Sequence, residues 1–561
     1  MATNIDPTLR ALGSRAKYQM LQLTVISLGA IGAGYQLLDN VFIGRAVEGQ
    51  KCSPPSNSST IPDALQGVDW ESSHVEYGKC HITVNRSDQV ENYDCLFGYS
   101  YGYPREFSFR TEFDLVCGSS LLGAFAQSLV IIGQGFGAVA SSFFSDRYGR
   151  KKVLVISQIG LLVVGMAIGL APSYAVLATL KFVAGAFQQG VVTSTATMTT
   201  ELFPTDARRI TVPMDTAMWG FACTSMALVA YLMKGYAWRY LQYALSAVSI
   251  VFLFQLWYVD ESLYWLVANG RKKQTLSVLK RAARTNGKDL NVVLQTLQTQ
   301  ATQNGRPFAR TLRPFLFVMS RIDVSVPAVK GTDCDILVPP PSENGQDEKQ
   351  LVEAANGDSR SVERALEKSS EKLTLLDIFR HKRMLFNSIV MWSAWFVCAF
   401  SFFALIMMST SLVGDRFLNY ALIAFMETPP GFIFYFSVNR LHMFIFSMVG
   451  AAGMFDIIFF YTPEIFPTNM RNQALGVASF VGRLGGMLAP FMTDFAEIAV
   501  WAPGVMIGSL CFIVVFLFRF LPETQGTKLP QTIGDMKAWY KPRDVTLLVA
   551  PTDQDSEPTK K

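Results

Sequence analysis

Glu201-Leu202-Phe203-Pro204-Thr205-Asp206-Ala207-Arg208 and Glu464-Ile465-Phe466-Pro467-Thr468-Asn469-Met470-Arg471 are one phrase written twice, each closing a long apolar stretch. A carboxylate followed by an arginine at such a place can pair and unpair, which is the chemistry of a latch and not of bond making. A second charged motif precedes each copy, in full as Asp146-Arg147-Tyr148-Gly149-Arg150-Lys151-Lys152 and later only as the stub Asn439-Arg440. Asp146 can accept hydrogen bonds from a facing helix amino terminus and pair with an arginine across a seam; Glu201 with Arg208, and Glu464 with Arg471, would complete such a latch. Gly149 suits a tight turn that mere charge anchoring does not need. Two further ionisable residues lie inside apolar runs. Glu427, ahead of Pro429 and Pro430, is costly there unless it meets a wet cavity or a partner, and Arg483 cannot shed its charge. No phosphate loop, metal cluster or nucleophile-base-acid set occurs in the chain, so an enzyme is not expected, and neither is a cofactor or metal.

The elements that must hold these charges are helices in a bilayer. Half of the 561 residues are apolar, 17% are charged and 42 are Phe, outside the range of a soluble domain. Apolar runs of spanning length fall at about 20–43, 119–143, 153–172, 174–197, 211–233, 241–259, 385–408, 417–438, 441–462, 473–493 and 499–519. Two copies of one membrane-embedded unit are the pattern of a secondary transporter. The copies differ in length: Asp146 to Glu201 is 55 residues and Asn439 to Glu464 only 25. The shortfall of about 30 residues equals one span and its connection, so the expected architecture is all-α, two pseudo-symmetric six-helix bundles with the ninth span missing and eleven present.

Charge sets the topology. Arg147, Arg150, Lys151, Lys152, Arg208 and Arg209 lie in short connections that face the cytoplasm, as does the polar start with Arg10, Arg15 and Lys17. The net charge of +5 therefore reports orientation and calls for no nucleic-acid partner. The expected organisation is a cytosolic segment 1–18, a first bundle 19–259 with an extracellular loop 48–117, a cytosolic linker 260–384 disordered over about 325–370, a second bundle 385–519 and a cytosolic tail 520–561. The outer loop contains Cys52, Cys80, Cys95 and Cys117 and the acceptor sequences of Asn57 and Asn85. Four cysteines in an oxidising loop give two disulfides in one of three pairings, which spacing alone does not rank.

The chain resembles the major facilitator superfamily, and within it the organic cation, organic anion and carnitine transporter family. The resemblance rests on Thr111-Glu112-Phe113-Asp114-Leu115-Val116-Cys117, the Asp146 motif, Trp238-Arg239-Tyr240-Leu241-Gln242, Leu375-Leu376-Asp377-Ile378-Phe379, Glu427-Thr428-Pro429, the Glu464 phrase and Leu521-Pro522-Glu523-Thr524. It departs from the family at Ser142, at Lys181 where the family has arginine, and at Asp260-Glu261-Ser262-Leu263-Tyr264-Trp265-Leu266. The resemblance implies a plasma-membrane transporter that moves a small organic ion by alternating access, with a possible coupling ion and the lipid bilayer as its other partners. It implies a cytoplasmic gate of Asp146, Arg147, Gly149, Arg150, Glu201, Arg208, Arg440, Glu464 and Arg471, and a central cavity contacted by Trp395, Phe402, Glu427 and Arg483. Arg483 stands where cation carriers of the family have Asp, so anions or carnitine-like zwitterions are expected. Gln36, Asp39 and Asn40 are expected to be solvated at the outer end of the first span. The competing expectations are a sugar porter, disfavoured by the cysteine loop, and a truncated chain that does not transport. If the run at 441–462 entered from the cytoplasm, Glu464, Arg471 and the last two helices would be inverted; otherwise residues 439–443 would have to cross the hydrocarbon, which five residues cannot do.

Overall fold

The computed structural model describes residues 5–45, 49–55, 75–86, 89–303, 380–409, 414–429, 451–466, 471–499 and 501–522. In chain order the principal helices are α1 Asp6–Leu12, α2 Lys17–Ile43, α3 Ser120–Tyr148, α4 Arg150–Gly169, α5 Tyr174–Glu201, α6 Thr211–Leu232, α7 Trp238–Tyr258, α8 Leu263–Ala268, α9 Lys272–Asn286, α10 Leu290–Gln303, α11 Lys382–Met408, α12 Arg416–Met426, α13 Ala451–Ile465, α14 Arg471–Leu488, α15 Phe491–Ile498 and α16 Ala502–Phe518. Among the described residues six of these, α2, the stretch Cys117–Tyr148 that contains α3, α4, α5, α7 and α11, are long and apolar enough to cross a membrane. The α6 helix and the shorter apolar helices α12, α14 and α16 occupy further expected spans. The full span count and the expected gap at the ninth span involve residues 430–450, outside the described residues.

These helices expose large apolar side chains outward, as a lipid-facing surface requires. Phe136, Val139, Phe143 and Trp257 are all more than half exposed while Ala124, Ala126 and Val130 of α3 are buried. Small residues bring α3 and α5 together: Gly133 and Gly137 of α3, one turn apart, lie against α5, where a Cβ would fall 2.0 Å from the Phe182 carbonyl and 2.3 Å from that of Ala186. Without a hydrophobic drive between helices in lipid, such close backbone approach supplies the dispersion that holds them.

The expectation of an all-α chain needs one amendment. The cysteine loop folds as β1 Lys51–Cys52, β2 Val75–Tyr77, β3 His81–Arg86, β4 Gln89–Asp94 and β5 Tyr99–Ser100, with β1 paired to β5 and β2-β3-β4 antiparallel. Cys52 bonds Cys95 and Cys80 bonds Cys117, one of the three pairings left open by the sequence.

The chain divides into two compact units. The larger comprises residues 1–338, 392–458 and 478–514; the smaller comprises 339–391, 459–477 and 515–561. Within the larger, residues 5–18 pack against the start of the linker. Leu9 and Leu12 of α1 pack with Leu266, Leu279 and Leu297 of α8 to α10, so the start of the linker is a small helical body on which α1 is folded. The linker stretch 325–370 lies outside the described residues. In the smaller unit the Tyr461 hydroxyl donates to the Pro522 carbonyl, and its ring stacks on Phe518.

Three contacts set the direction of α14 against α3. Ser128 donates to the Met487 carbonyl and Arg483 to Gln134, while Asp494 meets Arg110 beside the cysteine loop. The α14 helix is therefore antiparallel to α3, with its carboxyl-terminal end toward the cysteine loop.

Candidate functional site

The best-defined charged cluster is built where α3 turns into α4. Gly149 takes φ +109° at this corner, a left-handed conformation that favours glycine. A Cβ there would also fall 2.3 Å from Glu261 Oε2. The vacancy admits the Glu261 carboxylate, whose Oε1 accepts from the backbone N–H groups of Arg150 (2.9 Å), Lys151 (3.1 Å) and Ser262 (3.1 Å). A carboxylate on two of the four unpartnered N–H groups of α4 is favoured by both hydrogen bonding and the helix dipole. Glu261 is thus the acid at the amino terminus of α4. It lies in the phrase whose departure from the family pattern was noted above.

Arg150 gathers the remaining acids. Its Nη2 lies 3.0 Å from Asp146 and 3.4 Å from Glu201, and its Nη1 donates to the Ser145 carbonyl. Ser262 donates to the second oxygen of Glu201, and the Trp265 indole donates to the Asp146 carbonyl at 2.8 Å. All of these groups belong to the first bundle and its exit. The cluster therefore ties α3, α4, α5 and α8 into one body instead of reaching across a seam. Arg147 is exposed, its guanidinium 5.7 Å from the Tyr148 ring.

Arg208 does not meet Glu201. It donates to the Phe203 carbonyl and the Tyr264 hydroxyl. Tyr264 in turn donates to Asp6, as do the Thr205 hydroxyl (2.6 Å) and its backbone N–H (3.2 Å). Burial alone would raise the Asp6 pKa, but these bonds and the Arg208 charge outweigh it and hold the carboxyl below its ordinary value. Burial and the bond to Asp6 push the Tyr264 phenol up to about 12. In the second copy, Glu464 is half-buried near the end of α13 and Arg471 begins α14, while Arg440 lies outside the described residues.

Of the residues expected at a cavity, Trp395 and Phe402 are buried, 2% and 6% exposed. Both present edges to Phe455, at 6.4 and 5.8 Å between ring centroids, and Phe402 lies 6.3 Å from Trp219 of α6. They form an aromatic seam between the halves. Glu427 is buried at the end of α12, beside Thr428, which fills the space over Gly220. Arg483 is half-buried with Nη1 on Gln134 Oε1 at 3.0 Å. Among the described residues no carboxylate pairs with it, Glu427 included.

Gln36, Asp39 and Asn40 are not solvated; all three are buried. The Lys181 ammonium stands 2.6 Å from Asp39, both side chains fully enclosed. Gln36 donates to Ser246 and accepts from Gln242. The signal for this pair was the departure at Lys181, a cation in mid-span that had to find an anion. At the loop, Asn85 is exposed on β3 and Asn57 lies outside the described residues.

Residues 75–323 match the family described as sugar (and other) transporter. Organic anion transporter 3 of Mus musculus is 25% identical over 95% of this chain and 94% of its own length, and that of Homo sapiens 26% over 95% and 93%. An organic cation transporter-like protein of Drosophila melanogaster is 24% identical over 96% and 93%. Among solved structures, the proton:xylose symporter XylE bound to 6-bromo-6-deoxy-D-glucose superposes with TM-score 0.53 at 13% identity, covering 94% of this chain and 100% of that one.

Proposed function

We propose that this chain, a multi-pass membrane transporter similar to proteins of the major facilitator superfamily and not an enzyme, moves a small organic ion across the plasma membrane by alternating access, organic anions and carnitine-like zwitterions before cations. The observation that carries this reading is Arg483. It sits in mid-helix, half-buried, on the neutral amide of Gln134. A guanidinium keeps its charge and in a membrane interior requires an anion. With no protein carboxylate on it among the described residues, an anionic group of the substrate is the partner that satisfies it. The relatives named organic anion transporter support the same choice, and the organic cation transporter-like relative marks its competitor.

The first bundle, bound up by Arg150, Glu201, Glu261 and Gly149, moves as one body, and the gate residues Asp146, Arg147 and Arg208 ride on it. Arg440, Glu464 and Arg471 are the second half's share of the cytoplasmic closure. Trp395, Phe402 and Glu427 line the path once the aromatic seam opens, the rings stacking on apolar parts of the ion. The short interval from Asn439 to Glu464 favours a second reading, a chain that reaches the membrane and does not transport.

One assay separates the readings. Cells expressing the chain are given labelled carnitine, para-aminohippurate and a quaternary ammonium ion. Uptake of the first two above mock-transfected cells supports the proposal. Uptake of none, with the protein at the surface, supports the second reading.

A further inference from the structure

The cysteine-loop end of the molecule carries an ion pair that belongs to none of the motifs above. Arg110, seven residues before Cys117, places Nη1 3.3 Å from Asp494 Oδ1, 384 positions along the chain. The side chains are 10% and 17% exposed. Arg110 is fixed on its own side of the contact. Its backbone N–H donates to Ser108 Oγ, its carbonyl accepts from Leu115, and its side chain lies across Gly123, where a Cβ would fall 2.6 Å from Nε. The Cys80–Cys117 disulfide closes the same segment. Asp494 comes from the other half, in the first turn of α15. Toward the interior the seam continues with Ser128 bonded to the Met487 carbonyl and Gly486 against Ile131.

Resting on the alternating-access reading, we propose that Arg110 and Asp494 are the outer gate latch, two positioning residues whose pairing holds the loop-side entrance shut and whose parting admits the ion. Arg110 Nε and Asp494 Oδ2 are buried without a hydrogen-bond partner among the described residues. The closed pair therefore leaves polar atoms dry and unsatisfied, and opening returns both groups to water. Rehydration offsets much of the lost attraction, so the pair biases an equilibrium instead of locking one state.

The test uses Ser128→Cys as an accessibility reporter, since Ser128 is 1% exposed beneath the pair, in full-length protein whose Cys223, Cys334, Cys398 and Cys511 are serine. A membrane-impermeant maleimide is applied to intact cells. Arg110→Met and Asp494→Asn should each raise the labelling rate by about tenfold, the range of a typical conformational coupling. The exchange Arg110→Asp with Asp494→Arg should return it toward the wild-type rate. Singles that leave the rate unchanged, or an exchanged pair that labels as fast as the singles, would overturn the latch. Uptake is measured in the same cells. Labelling that responds in protein without uptake leaves the latch standing and removes the transport reading; uptake with unresponsive labelling does the reverse.

Discussion

Lys181→Met should rank among the most damaging single substitutions in the chain. Lys181 and Asp39 lie 2.6 Å apart with both side chains at 0% exposure. Methionine keeps the length and volume of the lysine stem, so little cavity is created and the loss is electrostatic. Removing one partner of a buried pair leaves an uncompensated charge and costs about 3–5 kcal/mol. At roughly 2–4 °C per kcal/mol for a body the size of the first bundle, the melting temperature of the detergent-solubilised protein should fall by roughly 10 °C. Lys181→Arg keeps the charge but must seat a wider planar group, and should cost only about 1–2 kcal/mol. Neutralising both partners, Asp39→Asn with Lys181→Met, should recover most of the loss, because an apolar or neutral pair of similar volume is tolerated where a lone buried charge is not. Thermal denaturation followed by size-exclusion chromatography reads all three. If Lys181→Met melts within about 2 °C of the wild type, or the double variant melts no higher than the single, the pair is not the structural element described.

The remaining expectations concern the two ends of the first bundle. The exposed Asn85 should carry glycan: glycosidase treatment of intact cells should shift the protein on a gel, and Asn57→Gln with Asn85→Gln should abolish the shift. Peptide mapping without reduction should recover Cys52 with Cys95 and Cys80 with Cys117; crossed pairs would contradict the loop's two sheets. Asp6, held below its ordinary pKa, stabilises the docking of α1 above the usual carboxylate range, and this contribution is lost as pH falls through the lowered value. Wild type and Asp6→Asn should therefore differ in hydrogen exchange of α1 at neutral pH and converge in acid; a difference that does not depend on pH would contradict the assignment.

The class of the molecule was legible because bilayer physics writes itself into composition: runs of about 20 apolar residues, basic residues in short connections, and a charged phrase repeated at equal places in two halves. The identity of the ion pairs was not, because sequence adjacency suggested Glu201 with Arg208 where the fold joins Glu201 to Arg150 and Ser262. The turn at Gly149 brings α4 back beside α3, and only then does Glu261, 111 positions from Arg150, reach its helix terminus. The burial of Asp39 was hidden for a related reason. Counting residues from the end of a span gives depth, whereas burial depends on which neighbours cover that depth, here α5 with Lys181. The disulfide pairing was likewise not legible: spacing left three pairings open, and the folded loop joins Cys52 to Cys95 and Cys80 to Cys117.

The most direct measurement of the central claim is the ratio of para-aminohippurate to quaternary ammonium uptake in wild type and in Arg483→Asp. If Arg483 receives the anionic group of the substrate, the wild type takes up para-aminohippurate in preference to the cation and Arg483→Asp reduces or reverses that ratio. A wild type that prefers the cation, with a ratio unmoved by Arg483→Asp, would contradict it.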